Sequence, residues 1–162
     1  MCGAGPTPTG PAGCGLISDP TRPAAYLGPE AHVDGSLLCD GCRVAGTVSN
    51  SVISPGVYVA PGAVVRDSIL MTDARVDAGA VVDRAIVDKQ VTVGAAAKLG
   101  ADGVNTPNLK WPERLNTGIT VVGKRAAIPA GATIGRNVVI FPRATAKDYP
   151  DLEVASGETI GG

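Results

Sequence analysis

Residues 51–101 decide the fold, because they divide without a gap into three blocks of 17: SVISPGVYVAPGAVVRD (Ser51–Asp67), SILMTDARVDAGAVVDR (Ser68–Arg84) and AIVDKQVTVGAAAKLGA (Ala85–Ala101). Within each block an aliphatic residue recurs after six, six and then five positions: Ile53, Val59, Val65; Leu70, Val76, Val82; Val87, Val93, Leu99. A small or β-branched residue stands two positions earlier, as at Val57, Ala63, Ser68, Ala74, Ala80, Ala85, Val91 and Ala97. Turn residues keep the same register, with Pro55-Gly56, Pro61-Gly62 and Ala78-Gly79 at equivalent places. A chain that bends three times per 17 residues is a triangular coil with short strands on three flat faces. Stacking such coils at the strand spacing of about 4.8 Å leaves a thin interior that only aliphatics fill. The sequence therefore predicts an all-β, single-stranded parallel coil of about five to six turns.

The pattern extends outward from this centre. After Gly118 it resumes with Val122, Ile128, Ile134 and Ile140, preceded by Ala126, Ala132 and Val138; before Ser51 a shorter coil shows Val33, Leu38 and Val44. GADGVNTPNLKWPERLNTG (Gly100–Gly118) breaks the repeat with two prolines and the sole Trp, and reads as a protruding loop. The expected organisation is a disordered Gly/Pro-rich tail over 1–19, a linker over 20–32 and coils over 33–100. An inserted loop over 101–118 follows, then further coils and a C-terminal segment over 119–162.

Composition agrees with a narrow core. The 162 residues hold one Phe, one Trp and three Tyr, and 44% hydrophobic residues overall. Aromatics normally fill core volume, so Val, Ile, Leu and Ala must do so here. The net charge is −1 and no basic stripe interleaved with aromatics occurs, which argues against nucleic acid as a partner. No apolar run approaches the roughly 20 residues of a membrane span. The opening MCGAGPTPTGPAGCGL has no basic-then-apolar signal pattern, and it lacks the flanking strand and Lys-Ser/Thr of a phosphate loop. Cys39-Asp-Gly-Cys42 has metal-like spacing but no second pair beside it. Together with Cys2 and Cys14 it reads as reduced thiol, which points to the cytoplasm.

Catalytic candidates are few. The single histidine, His32, is the one side chain suited to act as general base near neutral pH, and it falls at the edge of the first coil. Ser51, Ser54 and Ser68 are repeat positions with no histidine in register. The 17-residue period sets Arg66 beside Asp83 and Asp67 beside Arg84 on adjacent coils, so these charges are expected to form exposed ladder pairs of about 0.2–1 kcal/mol each.

The repeat resembles the hexapeptide motif [LIV]-[GAED]-x-x-[STAV]-x of left-handed parallel β-helices, and the left hand is implied by that resemblance. NSVISPGVYVAPGAVVRDSILMTDARVDAGAVVDRAIVDKQVTVG (Asn50–Gly94), GITVVGKRAAIPAGATIG (Gly118–Gly135) and VASGETI (Val154–Ile160) are more specific. With PTRPAAYLGPEAHVDGSLLCDGC (Pro20–Cys42) they resemble the C-terminal β-helix domain of the glucose-1-phosphate adenylyltransferases. That family joins ATP and glucose 1-phosphate, with magnesium, to make ADP-glucose for glycogen or starch. Nothing in these 162 residues resembles the family's catalytic motifs, so the chain is expected to have no cofactor and no catalytic residue of its own. It would be a fragment or a stand-alone scaffold that associates with itself or with a nucleotidyltransferase domain. The resemblance further implies that Lys89 (in IVDKQ), with Lys124 and Arg125 (in VVGKRAAIP), binds a phosphorylated sugar or phosphoglycerate effector. Gln90 and Arg125 depart from the family's Asn and Asp at those places. The alternatives are a hexapeptide acyltransferase, which would need His32, or a binding scaffold without turnover.

Overall fold

The structure, a computed structural model, describes residues 21–101 and 104–162. The residue 1–19 tail, with Cys2 and Cys14, lies outside them. Twenty strands of two or three residues form three parallel sheets of six, seven and seven strands. The first face runs from Tyr26–Leu27 to Ala127–Ile128, the second from His32–Asp34 to Glu153–Val154, and the third from Leu37–Leu38 to Thr159–Ile160. Each turn of chain visits the three faces in that order. Two faces are thus seven rungs deep, against the five to six turns expected. The extra rungs come from Tyr26–Leu27, Glu153–Val154 and Thr159–Ile160, where the spacing is irregular and the repeat is hard to see.

Register follows the period read from the sequence. Val81 pairs with Val64, Arg75 with Tyr58 and Ile86 with Ile69, each 17 residues apart. Every aliphatic in the series from Ile53 to Leu99, and from Val122 to Ile140, is buried, as is every small residue two positions before it. The small side chains face inward beside each bend, where converging faces leave room for a methyl or isopropyl group and little more. Burying one such aliphatic contributes about 1.5–3 kcal/mol.

Bends require left-handed backbone. Gly56, Asp73, Gln90, Arg125 and Arg143 stack on the corner between the third and first faces with φ between 59° and 72°. Each donates its backbone N–H to the preceding coil, for example Gln90 to Thr72 O at 3.0 Å and Arg125 to Lys89 O at 3.0 Å. Asn50, Asp67 and Arg84, with φ of 48–49°, do the same between the second and third faces.

The serines have a structural task. Ser51 Oγ accepts from Ser68 N at 3.1 Å and Ser68 Oγ accepts from Ala85 N at 3.1 Å, while both hydroxyls donate to carbonyls two residues back. This buried hydroxyl ladder replaces backbone pairing where the chain turns, and it uses the hydroxyls as hydrogen-bond bridges. On the outer surface of the first face Tyr26, Arg43, Tyr58 and Arg75 lie in register. The Arg75 guanidinium stands 4.8 Å from the Tyr58 ring centre, within cation–π range.

The insertion leaves the corner between the second and third faces after Lys98–Leu99 and returns at Thr120–Val122. Two fully buried asparagines pin it. Asn137 Nδ2 donates to Asn105 Oδ1 and Thr106 O, both at 2.8 Å, and its Oδ1 accepts from Gly118 N at 2.7 Å. Asn108 Nδ2 donates to Asn137 O at 2.9 Å, and Asn108 Oδ1 accepts from Lys110 N and Trp111 N.

Candidate functional site

The structure gathers Lys89, Lys124 and Arg125 at one place, on the corner between the third and first faces. Lys89 follows strand Ala85–Val87 and Lys124 follows strand Thr120–Val122 on the next coil. The insertion between those coils leaves their register intact, with Ala85 opposite Thr120 and Thr92 opposite Ala127. With Thr72, Asp73 and Gln90 the three cations line a shallow pocket of about 140 Å³.

The charge balance of this corner is positive. Asp73 lines the pocket, yet its carboxylate is held by Arg22, with Nη1 to Oδ1 at 2.7 Å and Nη2 to Oδ2 at 3.1 Å. Asp88 is drawn to its own turn, accepting from Lys89 N at 2.7 Å, and lies 3.9 Å from Lys89 Nζ. Arg125 is not free to swing: its Nε donates to Gln90 Oε1 at 2.8 Å. Gln90 therefore orients a candidate anion-binding side chain, a role that the sequence did not assign to it. The 35-residue offset that joins Lys89 to Lys124 across the insertion also joins Gln90 to Arg125, and would have revealed the pair.

His32 stands on the outermost rung of the second face, on an exposed strand. Cys39 and Cys42 are free thiols at a turn, and burial pushes both up from the usual thiol range, further disfavouring thiolate chemistry. Among the described residues no group of three or more His, Cys, Asp or Glu converges to hold a metal ion.

One ladder pair forms and one does not. Arg66 Nη2 meets Asp83 Oδ2 at 3.0 Å, and that carboxylate pushes the guanidinium pKa up. Asp67 instead accepts from Asn50 Nδ2 at 2.6 Å, and Arg84 is left to face the foot of the insertion. A short corner carboxylate reaches the short amide one coil back more readily than the long arginine one coil on.

Comparison with known proteins agrees with this architecture. The family described as GlmU-like, C-terminal hexapeptide matches residues 24–122. Glucose-1-phosphate adenylyltransferase of Thermomicrobium roseum is 55% identical over 140 residues, covering 86% of this chain and 33% of that protein. The same enzyme of Acetivibrio thermocellus is 41% identical over 142 residues, covering 88% and 33%. The chain thus spans about a third of the length of these curated relatives. Among solved structures, the acetyltransferase domain of PglB from Neisseria gonorrhoeae superposes with a TM-score of 0.54 at 17% identity, over 87% of this chain and 56% of that one. This last likeness is one of fold alone. In sequence and in three-face geometry alike, the chain belongs to the GlmU-like C-terminal hexapeptide family, as the β-helix domain of the glucose-1-phosphate adenylyltransferase type.

Proposed function

We propose that this chain is the regulatory and assembly domain of a glucose-1-phosphate adenylyltransferase, working in the cytoplasm in glycogen or starch-like polysaccharide synthesis. It carries no adenylyl-transfer chemistry of its own. It associates with itself or with a nucleotidyltransferase domain, and it binds a phosphorylated sugar or phosphoglycerate effector at the Lys89–Lys124–Arg125 corner. The observation that carries this reading is the convergence of three cations from two coils around a pocket whose one lining carboxylate, Asp73, is already paired with Arg22. Phosphate bound there gains charge-assisted hydrogen bonds from two lysines and from a guanidinium held in place by Gln90. No helix among the described residues is long and apolar enough to cross a bilayer.

The test is Lys89→Ala and Lys124→Ala, read as activation by fructose 1,6-bisphosphate and by 3-phosphoglycerate in the enzyme assembled with its catalytic domain. Each substitution removes an exposed corner side chain, so thermal unfolding should match the parent. The effector concentration for half-activation should rise about tenfold or more, the loss expected for one charge-assisted contact. An unchanged effector response in both variants returns the corner lysines to plain solvated surface. A hexapeptide acyltransferase has only His32 as its base. Acetyl transfer from acetyl coenzyme A that disappears in His32→Ala would replace the regulatory reading with that one.

A further inference from the structure

The insertion springs from a different corner, between the second and third faces, and three rungs place an arginine there, two adjacent and the third beyond the Lys98–Leu99 rung. Arg66 ends strand Val64–Arg66, Arg84 follows strand Val81–Asp83, and Arg136 follows strand Thr133–Ile134. With Asp67, Asp83, Thr117 and Ile119 they line a cleft of about 740 Å³, several times the volume at the lysine corner. That size falls in the range of small-molecule sites.

We infer that this cleft is a second anion site, which takes a phosphate group between Arg84 and Arg136 under the foot of the insertion. Both carboxylates of the cleft are engaged, Asp83 by Arg66 at 3.0 Å and Asp67 by Asn50 at 2.6 Å. Arg84 makes no side-chain hydrogen bond or ion pair among the described residues. Arg136 Nε makes one long contact, 3.4 Å to Gly100 O. Two guanidinium groups therefore face the cleft with most of their donors unspent.

They also converge. A Cβ placed on Gly118 would lie 4.0 Å from Arg84 Nη1 and 3.5 Å from Arg136 Cδ, so both side chains meet over the same backbone position. Arg84 holds φ of 49°, at the corner where Asn50 sits on an earlier coil and Gly35 on the first. Asparagine and glycine adopt this conformation readily and arginine does not. Left-handed arginines recur at the bends, as at Arg125 and Arg143, so it is the unspent donors of Arg84 rather than its backbone that point to an external anion. Planar guanidinium groups from two directions suit the tetrahedral oxygens of a phosphate better than a single carboxylate.

The cleft and the lysine corner lie at different corners of the prism and share no lining residue, so either site stands without the other. The experiment titrates inorganic phosphate, then glucose 6-phosphate, then glucose, into the full chain, read by amide shifts of Thr117, Gly118 and Ile119. Phosphate and glucose 6-phosphate should move these amides saturably and glucose should not. If glucose 6-phosphate binds more tightly than phosphate alone, the sugar is part of the ligand; equal binding assigns the site to free phosphate. Arg84→Asn, which copies Asn50 at the equivalent corner and keeps the fold, should weaken binding about tenfold, whereas Lys89→Ala should leave it unchanged. Arg136→Gln gives a second reading through the other guanidinium. The inference is overturned if these amides do not respond, if they respond equally in Arg84→Asn, or if Arg84→Asn acts only by changing the sedimenting mass. That last result would make the arginines a contact between protein chains.

Discussion

At the scale of single residues, Tyr149 stands apart from an otherwise aliphatic core. It is buried, and its hydroxyl has no hydrogen-bond partner among the described residues. Burial, aided by Asp148, pushes its pKa well above the usual tyrosine value. An unfolded chain therefore loses this proton first. The contribution to stability is complete below about pH 10 and declines as pH rises above it. Tyr149→Phe keeps the ring and removes the stranded hydroxyl. Urea unfolding at pH 7 should show a gain of about 1 kcal/mol or no change, and the variant's stability should fall less steeply than the parent's between about pH 9.5 and 11. A loss of more than about 1 kcal/mol would mean that the hydroxyl is satisfied after all. Tyr149 was invisible in the sequence because it lies past the last regular hexapeptide. Lys89 and Lys124, in contrast, were legible one residue at a time. What could not be read was that Arg22, from the stretch expected to be a linker, reaches Asp73 and removes its charge from the pocket.

At the scale of elements, the insertion is an ordered part of the corner, and its hydrogen bonds converge on Asn137 and Asn108. Each amide spends both ends on backbone or on another amide, within a fully buried setting. Asn137→Ala releases the exposed Thr106 C=O to water but strands the buried Gly118 N–H, and an unmet buried group costs about 1–3 kcal/mol. The expected result is a loss of that order in global stability, with protease cleavage confined to residues 101–118. Asn137→Asp should serve Gly118 N–H but not Thr106 C=O, and so fall between the two. If Asn137→Ala resists protease as the parent does, the clamp is not what orders the insertion. The position of the insertion was plain in the sequence, because prolines and Trp111 interrupt a strict period. Its anchoring was not, because Asn108 and Asn137 lie 29 residues apart and neither breaks the local pattern. The ladder pairs show the same limit. Periodicity set Arg66 and Asp83 side by side, and it set Asp67 beside Arg84 as well. Side-chain length and corner direction decided that only the first pair would close.

At the scale of the molecule, the prism is a one-dimensional stack in which each coil touches only its neighbours, so stability should be unequal along its length. The interior coils are sealed on both sides: Leu70, Val76 and Val82 are fully buried. Among the described residues the first coil has one neighbour, and it exposes Tyr26, Leu27 and Leu37, with Leu38 only partly covered. The 17-residue arithmetic placed the interior rungs with their register, and it failed at the ends, where closing a stack calls for residues unlike the repeat. The contrast can be measured with one chemical change made in two places. Leu70→Ala should cost about 2–5 kcal/mol, the usual range for a buried leucine, and should lower hydrogen-exchange protection on coils to either side. Leu38→Ala should cost less and raise exchange only in the rungs from Tyr26 to Val44, because local opening there leaves the rest of the stack paired. Equal losses at both sites, with the same spread of exchange, would mean that the seven rungs unfold as one unit and that the first coil is as firmly held as the middle.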